Sequence, residues 1–127
     1  METTPSGLLL CRDLMFTVKV TGTAKELGRT IKAVGRIELA EAFLAERKPR
    51  VVFVDLTAGD LVTAESLRKL MALAPDAPFI AYGPHVEVDA IQSARDAGCR
   101  EVMPRGQFTR QLPDLIRAHL GAEPTAG

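Results

Sequence analysis

The chain has 127 residues, enough for one domain that buries roughly two-thirds of the surface of its unfolded chain. Sixteen Lys and Arg residues balance sixteen Asp and Glu residues, so no net charge favours nucleic acid or an anionic membrane. Apolar residues make up 46% and charged residues 25%, as in ordinary soluble domains, and no apolar run approaches the ~20 residues of a membrane helix. We therefore expect a cytoplasmic protein with neither a nucleic-acid partner nor a membrane partner.

Two cysteines lie far apart in the sequence, and each stands beside an apolar run. Cys11 and Cys99 are therefore expected to be reduced, buried thiols, and the sequence assigns neither of them a role. Two cysteines and two histidines without local spacing supply too few ligands for a metal site of their own.

Short apolar runs alternate with segments of helical periodicity along the whole chain. The first run predicts a strand over 8–11, and Asp13 is a natural N-cap for a helix over 14–27. Pro113 suggests that the regular part of the last helix begins near it, at the first helical position. The further strands are predicted over 30–34, 50–56, 79–82 and 101–103, and the further helices over 38–46, 64–74, 86–97 and 107–120, with a loop over 57–62.

This alternation predicts an α/β fold with a doubly wound, five-stranded parallel sheet. With five strands the flavodoxin-like order 2-1-3-4-5 is favoured. The domain is expected to span 7–120, between flexible segments at 1–6 and 121–127. Ligands of such sheets gather at the carboxyl ends of the strands, and Asp55 stands at that end of the central apolar run, Val51-Val52-Phe53-Val54.

Two segments resemble the receiver domain of two-component response regulators, the chemotaxis-regulator-like superfamily. The run from Pro49 to Leu56 is similar to the strand that ends in the phosphoacceptor aspartate of that family. The segment from Ala94 to Arg105 is similar to the Ala-Gly-Ala-Asp-Asp-Tyr-Leu-x-Lys-Pro pattern around the fifth receiver strand. The resemblance covers roughly residues 7–120 and implies a receiver fold.

The resemblance also implies a phosphorylation site, from which this chain departs. It implies Asp55 as the phosphoacceptor, and Asp13, Asp55 and the Thr57 carbonyl as ligands of a Mg²⁺ ion. Other positions of the family pattern are altered, and these are Arg12 in place of an acid, Gly83 in place of Ser or Thr, Val102 in place of the switch aromatic, Arg105 in place of lysine and Gly106 in place of proline.

These departures lead to the hypothesis of a pseudo-receiver. Asp13 and Asp55 face Arg12 and Arg105, so the site is close to neutral without a metal, and an arginine paired with Asp55 would hold it closed. Alternatives remain open at both carboxylates. Asp55 could instead cap backbone amides of the following loop, and Asp13 could be only the N-cap of the first helix.

Three function classes follow. The favoured one is a stand-alone, non-enzymatic signalling module that acts through protein–protein contacts as a monomer or weak homodimer, with a histidine kinase or an output protein as possible partners. The alternatives are a conventional Mg²⁺-dependent receiver phosphorylated on Asp55, and a flavodoxin-like binder of a nucleotide or flavin. No glycine-rich phosphate loop, GxSxG motif or Cys–His pairing is present, so no catalytic residue and no cofactor is expected.

The partner face expected from the resemblance comprises Ile91, Arg95, Val102, Gln107 and Gln111.

Overall fold

The computed structural model describes residues 7–84, 86 and 88–121. The predicted flexible segment at 1–6, and all of the one predicted at 121–127 except Gly121, lie outside these residues and stay predictions. Within the described residues, no helix is long and apolar enough to cross a membrane.

Five strands and five α-helices alternate along the chain, as predicted. The strands are β1 (Gly7–Leu10), β2 (Ile31–Val34), β3 (Val51–Asp55), β4 (Phe79–Gly83) and β5 (Glu101–Pro104). The helices are α1 (Leu14–Glu26), α2 (Ile37–Glu46), α3 (Ala64–Leu73), α4 (Val88–Ala97) and α5 (Arg105–Leu120).

The strands form one parallel sheet in the order β2-β1-β3-β4-β5, which confirms the predicted fold class. The central strand β3 is buried along its whole length, as its unbroken apolar run predicted. In the register of β3 and β4, Asp55 lies beside Tyr82 at the carboxyl edge of the sheet.

The core consists of two apolar clusters, one on each face of the sheet. Because side chains alternate along a strand, Val52 and Val54 enter the cluster beneath α2 and α3, whereas Val51 and Phe53 enter the cluster beneath α1 and α5. By the same alternation, Asp55 belongs to the α1/α5 face. This face also receives Cys11, which follows β1, and Phe108 of α5.

Two predictions of local structure are wrong. The segment predicted as a plain loop after β3 contains a short 3-10 helix, Gly59–Val62, whose Leu61 and Val62 are buried. The last helix begins at Arg105, and Pro113 lies inside it. The helix continues through the proline because the turns on both sides of it are held by burial of Phe108, Leu112 and Ile116 in the α1/α5 cluster.

Candidate functional site

Three strand ends place polar side chains on one face of the sheet, beneath α1 and α5. Cys11 directly follows β1, Asp55 ends β3, and Tyr82 lies one residue before the end of β4. All three are buried, and only 2% of the surface of Asp55 is exposed. They form a buried polar group in an otherwise apolar cluster.

The carboxylate of Asp55 accepts hydrogen bonds at both of its oxygens. Its Oδ1 accepts from the backbone N–H of Thr57 at 2.9 Å and from the Thr57 hydroxyl at 2.6 Å. Its Oδ2 accepts from the Cys11 thiol at 3.3 Å. Three donors therefore occupy most of the roughly four lone-pair positions that a carboxylate offers. The structure confirms the alternative in which Asp55 caps the following loop.

The two neighbours of Asp55 in this buried group are a thiol and a phenol, and both have a raised pKa. Burial raises the pKa of the Cys11 thiol, which therefore remains a donor at neutral pH. Burial, with the nearby Asp55 charge, likewise raises the pKa of Tyr82. The Tyr82 hydroxyl has no hydrogen-bond partner among the described residues, and its ring stacks on Phe108 with centroids 4.2 Å apart.

Asp13 has two structural roles at the rim of the site. Its Oδ1 accepts from the backbone N–H of Phe16 at 3.1 Å, so it is the N-cap of α1, as one of the alternatives held. Its Oδ2 accepts from Nη2 of Arg105 at 3.1 Å. These two bonds, the one from Phe16 first, lower the pKa of Asp13. The guanidinium of Arg105 also lies 4.4 Å from the centre of the Phe16 ring, at cation–π distance.

Arg12 connects three segments of the chain at a second part of the rim. Its Nη2 donates to Oδ1 of Asp60 at 2.6 Å, and its Nε donates to the carbonyl of Gly35 at 2.9 Å. The hydrogen bond from Arg12 lowers the pKa of Asp60. These contacts connect the end of β1 to the 3-10 helix and to the turn after β2. Arg12 thus pairs with a carboxylate, that of Asp60 in the 3-10 helix.

The predicted pairing of an arginine with Asp55 is wrong. Arg12 binds Asp60 and Arg105 binds Asp13, while Asp55 is bound by Cys11 and Thr57. The physical reason is depth: both guanidiniums lie at the partly exposed rim, whereas the Asp55 carboxylate lies under it. The rim carboxylates are paired with two arginines, whereas Asp55 is hydrogen-bonded by uncharged donors.

The other altered positions are Gly83, Val102 and Gly106, and of these Gly83 is tightly packed. A Cβ atom on Gly83 would lie 3.1 Å from Cβ of Leu56, a closer approach than ordinary side chains make. A serine or threonine at this position would therefore have to displace Leu56. Val102 is half-buried against the α2/α3 side of the core, and Gly106 is exposed in the first turn of α5.

The described residues do not fit the Mg²⁺ ion that the family pattern implies. Asp13 is bound by Arg105 and caps α1, and the oxygens of Asp55 accept from three donors. Thr57 presents its N–H and its hydroxyl to this carboxylate. Within the ranges 7–84 and 88–121, no group of three His, Cys, Asp or Glu side chains could hold a metal ion.

The expected partner face lies on α4, β5 and α5. Arg95 and Gln111 are exposed, and Ile91, Val102 and Gln107 are half-buried.

Sequence reasoning missed the roles of Cys11, Tyr82 and the Thr57 hydroxyl. The available signal was positional, because Cys11 and Tyr82 stand at the ends of the two strands that flank β3.

The amino-acid sequence matches no protein-family model and no curated protein. Solved structures nevertheless share the fold. A response regulator from Thermotoga maritima superposes with a TM-score of 0.75 at 18% identity, over 94% of this chain and 99% of that one. A CheY-like response regulator receiver domain protein from Methanospirillum hungatei gives a TM-score of 0.78 at 15% identity, over 93% and 94% of the two chains.

A third similar structure is a response regulator from Burkholderia pseudomallei with a phosphorylated aspartic acid, a calcium ion and citrate. Its TM-score is 0.75 at 15% identity, and the match covers 91% of this chain but only 66% of that one. These likenesses confirm the resemblance at the level of the fold: the chain has the fold of response-regulator receiver domains.

Proposed function

We propose that this protein is a receiver-like signalling module that acts through protein–protein contacts in the cytoplasm, without enzymatic activity of its own and without a cofactor. Its phosphorylation site is degenerate: Asp55 is kept, while the second acid, the hydroxyl and the lysine of the pattern are altered. The partner is a protein, such as a histidine kinase or an output protein, and it binds the face formed by α4, β5 and α5.

The observation that carries the proposal is the engagement of Asp55. A phosphodonor and a divalent cation must both reach its oxygens, yet these oxygens are buried and accept from Cys11 and Thr57. The three donors leave only about one lone-pair position of Asp55 for a metal. Binding a metal would also require Asp13 to leave Arg105, its counter-ion.

The competing function is that of a conventional Mg²⁺-dependent receiver phosphorylated on Asp55 by a histidine kinase. The receiver fold and the retention of Asp55 at the end of β3 favour it. In that case Asp13, Asp55 and the Thr57 carbonyl would be the ligands of the metal, and Arg105 would take the place of the lysine.

A two-dimensional NMR titration separates the two functions. The ¹⁵N-labelled protein is titrated first with Mg²⁺ and then with beryllofluoride, a mimic of the phosphoryl group. We expect no saturable shift of the amides around Asp13, Asp55 and Arg105. Saturable shifts there that vanish in Asp55→Asn, but persist in the exposed-site control Asp76→Asn, would establish the conventional receiver instead.

A further inference from the structure

A groove runs along the outer side of α1 to the start of β2. It has a volume of about 660 Å³, which lies in the range of ligand-binding sites. Two cations line it, Lys25 and Arg29, together with the apolar side chains of Val18 and Ile31. Among the described residues, no acidic side chain belongs to this lining. The groove therefore favours an occupant that combines a negative charge with small apolar groups.

The end of α5 is attached to this lining. Gly121 follows α5 directly, and its carbonyl accepts a hydrogen bond from Nε of Arg29 at 3.1 Å. A Cβ atom on Gly121 would lie 3.8 Å from Nη2 of the same arginine. The φ angle of Gly121 is +81°, a value that turns the chain out of the helix. The chain therefore leaves α5 at a point that is held by a lining side chain of the groove.

The apolar part of the lining also lies near the end of α5. A Cβ atom on Gly7 would lie 3.1 Å from Cγ1 of Ile31 and 3.5 Å from Cδ1 of Leu120, so both of these side chains pack at the start of β1. The groove and the end of α5 are thus neighbours through Ile31 as well as through Arg29.

From the charge of the groove and the position of Gly121, we propose that the segment 122–127 of this chain binds in the groove. The segment reads Ala-Glu-Pro-Thr-Ala-Gly and carries one charged side chain, that of Glu123. In the bound segment the Glu123 carboxylate lies beside Lys25 and Arg29, and the small residues around it contact Val18 and Ile31. Opposite charge and small side chains match what the lining offers.

The segment has the length that the groove requires. Val18 and Lys25 are seven residues apart on α1, or about 10 Å along the helix axis. The six residues 122–127 span about 20 Å when they are extended. Glu123 follows Gly121 by two residues, about 7 Å of chain, which keeps its carboxylate near the arginine that holds Gly121.

The segment 1–6 is a competing occupant, because Gly7 also lies near the groove. The backbone N–H of Gly7 donates to the carbonyl of Thr30, a lining residue, at 3.4 Å. The acid of that segment is Glu2, five residues before Gly7, whereas Glu123 is only two residues beyond Gly121. The position of the acid therefore favours 122–127. A tethered segment also has an effective concentration of about millimolar, which a separate partner would have to exceed.

The bound segment would leave the proposed partner face uncovered. The groove lies beside β2, and β2 and β5 are opposite edges of the sheet. The proposal therefore goes beyond the proposed function, and it uses no residue of the phosphorylation site. It differs from the sequence-based expectation of a flexible segment at 121–127, because the attachment of Gly121 to the groove cannot be read from composition.

The order of the segment in the full chain is measured by ¹⁵N relaxation. We expect backbone order parameters above about 0.6 at Glu123 and Thr125, since lower values mark flexible backbone. Lys25→Glu places a second carboxylate beside Glu123 and should lower both values below about 0.6. Lys19→Glu is the matched control, because Lys19 is an exposed lysine of the same helix outside the groove lining, and it should leave them unchanged. The double variant Lys25→Glu/Glu123→Lys restores the opposite charges and should recover the order.

Nuclear Overhauser contacts in the native chain identify the occupant, and we expect them between the alanines of the segment and the methyl groups of Val18 or Ile31. Order parameters below about 0.6 at Glu123 in the native chain overturn the proposal. A segment that stays ordered in Lys25→Glu, or that loses order equally in Lys19→Glu, overturns the position given to Glu123. Contacts to the groove from residues 1–6, or from a second copy in a sample of mixed isotope labelling, overturn the assigned occupant. Circular dichroism verifies that the variants remain folded, and none of these results depends on the response of Asp55 to metal or beryllofluoride.

Discussion

The thiol of Cys11 donates a hydrogen bond to Oδ2 of Asp55 across 3.3 Å, between two residues that are 44 positions apart in the sequence. Both are buried at the carboxyl edge of neighbouring strands. With the two donors of Thr57, this bond leaves both carboxylate oxygens of Asp55 hydrogen-bonded. Four predictions follow from the way the site is held.

Asp55→Ala is expected to destabilise the protein. The substitution removes the Asp55 acceptor of the buried Cys11 thiol, and loss of a buried hydrogen-bond partner costs about 1–3 kcal/mol. The donors of the exposed Thr57 lose the same acceptor but can bind water instead. Urea unfolding should show a lower midpoint at an unchanged m-value.

The control for this variant is Asp76→Ala, at an exposed turn, which should change the free energy of unfolding little. An increase in stability on replacing Asp55 would contradict the prediction. It would instead indicate a site in which carboxylates repel one another.

Arg105→Ala is expected to lower the free energy of unfolding by about 0.5–1 kcal/mol, the usual worth of an exposed cation–π contact such as the one with Phe16. Arg105→Lys should recover only part of the loss, because an ammonium cannot lie flat on the ring. The measurement is thermal or urea unfolding. Arg110→Ala, an exposed arginine on the same helix, is the control, and an equal loss in it would refute the assignment.

The stability difference between the native protein and Asp13→Asn should depend on pH. The Phe16 N–H and Arg105 lower the pKa of Asp13 from its ordinary value of 3.8. The folded pKa is thus below the unfolded one, so this stabilisation is complete above that ordinary value and is lost as the pH falls through the folded pKa. Melting temperatures of both proteins between neutral pH and about pH 2 should therefore converge at the acid end. A difference that stays constant with pH would rule out the ionic part of the contact.

Gly83→Ser is expected to destabilise the fold by about 1 kcal/mol, because the new Cβ would crowd Leu56 at 3.1 Å. Combining it with Leu56→Gly should give a smaller loss than the sum of the two single losses, since glycine lacks the Cβ atom that the new side chain would crowd. Urea unfolding of the three variants measures this. Strict additivity would show that the two positions do not compete for space.

Local patterns in the sequence predicted the fold. Continuous apolar runs predicted the strands, and Asp13 was predicted to cap the first helix. The position of Asp55 at the end of β3 followed from its place after Val54. The course of α5 through Pro113 could not be predicted in this way, because burial of the turns around the proline outweighs the local cost of the missing N–H.

By itself, the sequence determined the alternation of strands and helices, the strand order and the edge of the sheet at which Asp13, Asp55 and Arg105 meet, because these depend on hydrophobic periodicity and on the handedness of the crossovers. Only the tertiary structure decided which groups bind one another there. Arginine side chains are long enough to reach several carboxylates, so the sequence does not fix their partners. In the structure Arg12 binds Asp60 and Arg105 binds Asp13, because these carboxylates lie at the same depth as the guanidiniums and in the direction in which they extend. Asp55 instead accepts hydrogen bonds from Cys11 and Thr57. These contacts depend on the face of the sheet toward which each side chain at a strand end points.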